Sequence, residues 1–132
     1  MVVDTSAVIA VLFGEAGAAA VADALADADH ALMAAPTLTE LAIVVEARRG
    51  PAGSRLLEQL LEEYQISIVA LDEQLARRAA DGWRRFGKGR HPAGLNLGDC
   101  FTYALASTYD RPVLFVGDDF SKTDLNAVLE VG

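Results

Sequence analysis

The chain opens with Val2-Val3-Asp4-Thr5-Ser6-Ala7, in which two branched apolar residues are followed by an acid and two hydroxyl residues. An apolar run of helix-compatible residues continues to position 13. This order predicts a short strand that passes through a capped turn into a helix. The first strand therefore ends at an acid that lies at the start of a helix.

Strand and helix patterns alternate along the rest of the chain. Several strand candidates are continuous runs of branched residues, and such runs, rather than strict apolar-polar alternation, suit strands covered on both faces. The sequence therefore predicts an α/β sandwich around a mainly parallel sheet. The further strands are expected at 30–34, 66–71 and 113–116, and the further helices at 17–29, 41–49, 53–64, 72–86 and 97–109.

Length and composition limit the class of protein. A chain of 132 residues, 52% of them hydrophobic, predicts a single domain spanning residues 1–132. No window approaches the roughly 18 apolar residues that span a bilayer, and residues 1–4 lack a basic start. Cys100 is the only cysteine, which excludes an internal disulfide and a thiolate zinc site. We therefore expect a cytoplasmic protein without a membrane partner.

The charge distribution restricts how nucleic acid would bind. A net charge of −8 argues against bulk electrostatic coating of nucleic acid, so contact must be local. One basic stretch opposes this trend, and a solvated helix face followed by a basic loop explains it equally well. It contains Arg77, Arg78, Arg84, Arg85, Lys88 and Arg90, with Asp81 as the only acid among them.

Several acids fall where a parallel sheet binds ligands, beyond the carboxyl ends of its strands. Asp4 follows the first strand, Glu40 and Asp99 lie in the first turns of predicted helices, and Asp118 and Asp119 follow the last strand. If these elements are neighbours, the acids share one edge of the sheet.

Each acid also has an ordinary explanation. Asp4 is a suitable helix cap, Glu40 completes a capping box with Thr37, Asp99 suits a helix N-terminus, and the acid pair suits a turn. Taken together, the acids indicate a metal site, because clustered carboxylates raise one another's pKa unless a cation lies among them. Ligands that are all oxygen favour Mg²⁺ or Mn²⁺, which suits phosphodiester chemistry.

Four segments resemble PIN-domain toxins of the bacterial VapC type, and they extend over essentially the whole chain. They are VVDTSA at residues 2–7, Glu40 after two threonines, GKGRHPAGLNLGDC at 87–100 and LFVGDDF at 114–120. The resemblance implies a three-layer α/β/α fold and Mg²⁺-dependent endonucleolytic cleavage of RNA that leaves a 5′-phosphate and a 3′-hydroxyl. It also implies an antitoxin partner and a homodimer.

The resemblance assigns metal-binding and catalytic roles to Asp4, Glu40 and Asp99. Asp118 and Asp119 are both available as the fourth acid, and Asp118 is taken first because it comes first after the strand. The basic segment before Asp99 is expected to line one wall of the acidic cleft, where it would bind RNA phosphates or acidic residues of an inhibitor. Its candidate substrate-binding residues are Arg84, Arg85, Lys88 and Arg90.

Two other classes remain open. A small Mg²⁺-dependent phosphohydrolase of the haloacid-dehalogenase type would need a second aspartate near Asp4, and Thr5-Ser6 does not supply one. A non-catalytic PIN-like binding module would keep the acids only for folding and partner contact. Metal-induced stabilisation separates an active nuclease from such a module, because selective binding to the folded state raises its stability.

Overall fold

The computed structural model describes residues 1–129 and builds them around one parallel sheet of four strands, in the order β3-β2-β1-β4. The last three of the 132 residues that we assign to a single domain lie outside the described residues. The elements are β1 (Val2–Val3), α1 (Thr5–Phe13), α2 (Ala18–Asp27), β2 (Ala31–Ala34), α3 (Ala35–Glu63), β3 (Ile66–Val69), α4 (Glu73–Phe86), α5 (Leu97–Tyr109) and β4 (Val113–Leu114).

Two hydrophobic cores lie on opposite faces of the sheet. Successive strand residues point to opposite faces, so Val2 packs in the core with α4 and α5, whereas Val3 packs in the core with α1, α2 and α3. In β4, Val113 and Leu114 divide between the cores in the same way. The fold is therefore a three-layer α/β/α sandwich with a parallel central sheet, which confirms the expectation.

The strand order places a topological switch beside Asp4. The chain moves from β1 to β2 and β3 on one side, and then returns to add β4 on the other side of β1. Val3 pairs with Leu114 in this parallel arrangement, so the loops that follow β1 and β4 leave the same edge. Ligand sites in open α/β sheets form at such points.

Helix α3 differs from the sequence prediction at its start. Its N-cap is Ala34 and Pro36 lies in the first turn, so the predicted capping box of Thr37 with Glu40 is wrong. Thr37 is buried inside the helix, and its hydroxyl has no hydrogen-bond partner among the described residues. The two helices expected on either side of Gly50-Pro51 are both present within α3, separated by a kink at Gly50, whose φ of 62° and ψ of −158° are not helical.

The segment between α4 and α5 is a closed loop, irregular as expected. The Lys88 N–H donates to the Leu95 carbonyl and the Leu95 N–H donates to the Phe86 carbonyl, each over 2.9 Å. His91 Nδ1 accepts the Ala93 N–H at 3.0 Å, which fixes the turn from inside. These bonds hold Lys88 close to the start of α5.

Within residues 1–129, no single helix is long and apolar enough to cross a membrane. The pair α1 and α2 meets the limits of length and composition only when its two helices are taken together across a bend of 115°.

Candidate acidic site at the sheet edge

Asp4 lies at the centre of the site and is buried. As the N-cap of α1, its Oδ2 accepts the Ser6 N–H at 3.1 Å and the Ser6 hydroxyl at 2.7 Å. Its Oδ1 accepts the Thr102 hydroxyl at 2.9 Å. The Ser6 hydroxyl also accepts the Val116 N–H at 3.0 Å, which ties the segment after β4 to Asp4. These contacts fix the carboxylate plane and occupy three of its about four acceptor positions.

Asp99 lies in the first turn of α5 and is also buried. Its N–H donates to Asn96 Oδ1 at 2.9 Å, and its Oδ2 accepts the Asn96 N–H at 3.1 Å. This reciprocal pair is a capping box, so the ordinary helix-start explanation applies to Asp99 as well as the proposed chemistry. One carboxylate oxygen remains outside the box.

Glu40 reaches the site from α3, across the space between two helices. Its Oε1 accepts the Thr5 hydroxyl at 3.0 Å, which connects it to the start of α1. Its carboxylate lies against Gly98, where an added Cβ would come within 2.8 Å of both Cδ and Oε1. Gly98 therefore leaves the space that the Glu40 carboxylate fills.

The acid pair after β4 lies on the surface. Both Asp118 and Asp119 are exposed, and Asp119 is near enough to the buried acids for their charges to interact. The charge of Asp119 raises the pKa of Asp99, and the charge of Asp4 raises the pKa of Asp119. Asp119 thus faces the site.

The carboxylates destabilise one another's ionised forms. Burial raises the pKa of Asp4, and the charge of Glu40 adds to this against the hydrogen bonds from Ser6 and Thr102. The pKa of Asp99 is raised to about 7, mainly by burial and further by the charges of Asp4, Asp119 and Glu40, against the hydrogen bond from Asn96. Burial and the charges of Asp4 and Asp118 raise the pKa of Asp119.

The donor set suits a hard cation, although the shell is not already assembled. Among residues 1–129, no three Asp, Glu, His or Cys side chains are arranged so as to hold a metal ion. Mg²⁺ keeps several waters and takes only one or two carboxylates directly, so it does not need a complete protein shell. The positive charge of such an ion offsets the repulsion between the negatively charged carboxylate oxygens.

The four candidate substrate-binding residues have different partners. Arg84 forms an ion pair with Asp81. Arg85 donates to the Tyr103 hydroxyl at 3.0 Å and pairs with Asp124 at 3.2 Å. Lys88, in contrast, lines a groove beside Asn96 and the start of α5. Arg90 places its guanidinium carbon 4.9 Å from the centre of the Trp83 ring.

Sequence reasoning missed two residues that shape the site. Thr102 lies three positions after Asp99 in α5, and this spacing, which puts both on one helix face, was an available signal. Gly98 gave no such signal, because its role depends on the Glu40 side chain from another helix. Cys100 is a buried residue of the core. Burial, with the charge of Asp99, raises the pKa of its thiol to about 11, so the thiol stays neutral.

The chain is similar to known proteins along nearly its whole length. The PIN domain family matches residues 1–126. Ribonuclease VapC42 of Mycobacterium tuberculosis is 45% identical over 126 residues, which cover 95% of this chain and 96% of that protein.

Two solved structures share the fold. Mycobacterium tuberculosis VapC20, a toxin that cleaves the sarcin-ricin loop, aligns with a TM-score of 0.78 at 17% identity, over 96% of this chain and 97% of VapC20. VapBC2 from Rickettsia felis, solved bound to a promoter DNA fragment, aligns with a TM-score of 0.72 at 12% identity, over 96% and 95% of the two chains. The family match over residues 1–126 and the 45% identity to a VapC ribonuclease over nearly the full length of both chains show that this chain belongs to the PIN-domain family, among the VapC proteins.

Proposed function

We propose that this protein is a Mg²⁺-dependent endoribonuclease that acts in the cytoplasm as the toxin of a toxin–antitoxin pair. One observation carries the chemistry: two buried carboxylates, Asp4 and Asp99, lie at the switch point of the sheet with raised pKa values, near enough to Glu40 and Asp119 for their charges to interact. Perturbed acids in such a place are characteristic of functional sites. The ribonuclease names of the relatives supply the substrate class. We treat residues 1–132 as one domain, in agreement with the family match.

The site residues have distinct expected roles. Asp4 presents Oδ1 in a fixed orientation, because Ser6 and Thr102 hold both of its oxygens. Asp99 presents the oxygen that its capping box leaves free. Glu40 and Asp119 complete the acidic cleft from α3 and from the loop after β4. We take Asp119 in preference to Asp118 as the fourth acid, since it is coupled to both buried acids.

Mg²⁺ bound by these residues would lower the pKa of an attacking water and neutralise charge on the phosphodiester. The protein's own contribution is a set of fixed oxygen donors and a position for the phosphate. Lys88 and Arg90 are the expected phosphate contacts, because Arg84 and Arg85 are already paired with Asp81 and Asp124. Mn²⁺ is expected to substitute, since it accepts the same oxygen ligands.

The antitoxin is expected at a different surface. A groove of about 300 Å³ lies between the end of α1 and the bend of α3, with Leu12, Phe13 and Leu56 in its walls. The guanidinium carbons of Arg48 and Arg49 lie 5.2 and 5.1 Å from the centre of the Phe13 ring. An amphipathic helix with acidic residues fits this combination of apolar surface and positive charge. A homodimer would cover other exposed apolar side chains such as Ile43.

Metal dependence tests the proposed function directly. The purified chain, free of partner, is expected to cleave structured transfer or ribosomal RNA with Mg²⁺ and to lose this activity in EDTA. Mn²⁺ or Mg²⁺ should also raise the melting temperature, because it binds the folded state selectively. Absence of both cleavage and metal-induced stabilisation would instead indicate a binding module.

Thr102 is expected to position Asp4 for metal binding. Thr102→Val keeps the buried shape but removes the hydroxyl that donates to Asp4 Oδ1. Loss of such a supporting hydrogen bond typically weakens metal affinity about 10- to 100-fold. Titration calorimetry with Mn²⁺ measures this change, and Thr102→Ser should restore most of the affinity. Equal losses in the valine and serine variants would show that Thr102 acts only through packing.

A further inference from the structure

A groove of about 520 Å³ runs between α4 and α5 and ends beside the acidic site. Ala80 and Trp83 form part of its α4 wall, and Cys100 and Phe101 form part of its α5 wall. Asn96 also lines it, and this residue exchanges two hydrogen bonds with Asp99. A molecule in the groove would therefore lie next to the acidic site.

The groove differs in charge from the molecule as a whole. The protein carries a net charge of −8, yet Lys88 is the only charged residue among those that line the groove. Arg90 adds a second cation, placed over the Trp83 ring. An apolar groove with one cation in its wall, a second cation beside it and no acid among its lining residues suits a flat, apolar ring that carries an anionic group.

Trp83 is held in a defined position while much of it stays accessible. Its indole packs against Gly87, where an added Cβ would come within 2.7 Å of Nε1. The residue is nevertheless 43% exposed, which is unusual for such a large apolar side chain. A ring that is already ordered loses little conformational entropy when a ligand stacks on it.

We propose that this groove is a base-binding subsite for RNA, an inference that rests on the proposed ribonuclease function. An unpaired base would stack on Trp83 and Phe101, and a flanking phosphate would meet Lys88 and Arg90. Single-stranded RNA is commonly recognised in this way, through bases stacked on aromatic side chains and cations on the backbone. The next phosphate along the strand would then reach the acidic site.

The protein supplies its own probe, because Trp83 is its only tryptophan. In the Asp99→Asn variant with Mg²⁺, which prevents cleavage during the measurement, a short unstructured RNA of mixed sequence is titrated. We expect saturable quenching of tryptophan emission with the same midpoint as the anisotropy change of a dye-labelled copy of that RNA. Stacking of a base on the indole is the physical reason for quenching.

Variants separate stacking from charge. Trp83→Leu keeps an apolar side chain on Gly87 and is expected to weaken RNA binding roughly 5- to 150-fold, the range for loss of one stacked base. In the active background it should raise KM with little change in kcat. Lys88→Gln should reduce the slope of log affinity against log salt by about 1. Arg77→Gln is the matched control, since Arg77 is an exposed α4 cation that pairs with Glu73 and does not line the groove.

The possible results lead to different conclusions. RNA binding seen by anisotropy, with unchanged tryptophan emission and unaltered affinity in Trp83→Leu, would overturn the subsite and leave the nuclease intact. If the emission per tryptophan changed with protein concentration but not with added RNA, the subsite would be overturned in favour of contact between two copies of the protein. No RNA binding together with no cleavage by the unaltered protein would reject the proposed function itself.

Discussion

Asp99→Asn is expected to stop RNA cleavage and, in the absence of metal, to make the protein more stable. Loss of one charged group at a reacting centre commonly costs at least about 10²-fold in rate. The stability gain has a separate origin, since the pKa of Asp99 is raised to about 7 and its ionised form is therefore costly in the folded state. The neutral amide removes that cost and still accepts the Asn96 N–H.

The sign of the pH dependence follows from this shift. Because the pKa is raised from 3.8 in the unfolded chain to about 7 in the folded protein, protons bind more tightly to the folded state. The metal-free protein should therefore lose stability as pH rises from about 4 to 7 and level off above that range. At pH 8 the variant should gain about 2–4 kcal/mol, or roughly 7–14 °C in melting temperature, and at pH 4 almost nothing.

Calorimetric melting with EDTA across this pH range measures the effect, and Mn²⁺ should reverse the order of the two proteins at pH 8. Asp23→Asn is the matched control, because Asp23 is an exposed acid of α2 that takes no part in the hydrogen bonds of the site, so its loss should change neither activity nor pH dependence. A destabilised Asp99→Asn protein at pH 8 would show that the capping box, rather than charge repulsion, dominates at this position.

Gly98→Ala is expected to damage the site without damaging the fold. The residue lies in the first turn of α5, where alanine is favoured over glycine by up to about 1 kcal/mol. The added Cβ would, however, occupy the space of the Glu40 carboxylate and force it to move. A displaced ligand should weaken Mn²⁺ binding about 10- to 100-fold and lower cleavage correspondingly, while the melting temperature in EDTA stays the same or rises.

A double-mutant cycle shows whether this effect acts through Glu40. In a Glu40→Ala background the side chain that meets the new Cβ is gone, so Gly98→Ala should then have almost no effect on metal affinity. Additive losses in the double variant would mean that Gly98 serves the backbone of α5 instead. Titration calorimetry with Mn²⁺ on the four proteins of the cycle supplies the required affinities.

The sequence by itself determined the elements and their layering. Short apolar runs marked all four strands, and caps such as Asp72, whose side chain accepts the Leu75 N–H at 2.8 Å, marked helix starts. These signals are local, because a strand or a capped turn depends on residues a few positions apart. The placement of acids directly after strands was visible for the same reason.

Local pattern failed where a contact depended on another element. The spacing of Thr37 and Glu40 predicted a capping box, but α3 starts at Ala35 and leaves Glu40 to bond Thr5 instead. A reciprocal capping box is instead found at the start of α5, between Asn96 and Asp99. Spacing alone does not reveal which residue is the N-cap, since that depends on where the preceding strand ends.

Only the tertiary structure decided how the acids are supported and which cations remain available. Thr102 and Asp4 are 98 positions apart, and their hydrogen bond exists because α5 packs against β1, the strand that Asp4 directly follows. The same packing joins Arg85 to Asp124 and leaves Lys88 in the groove near Asp99. Long-range contacts follow from the order of strands in the sheet, which residue spacing along the chain does not encode.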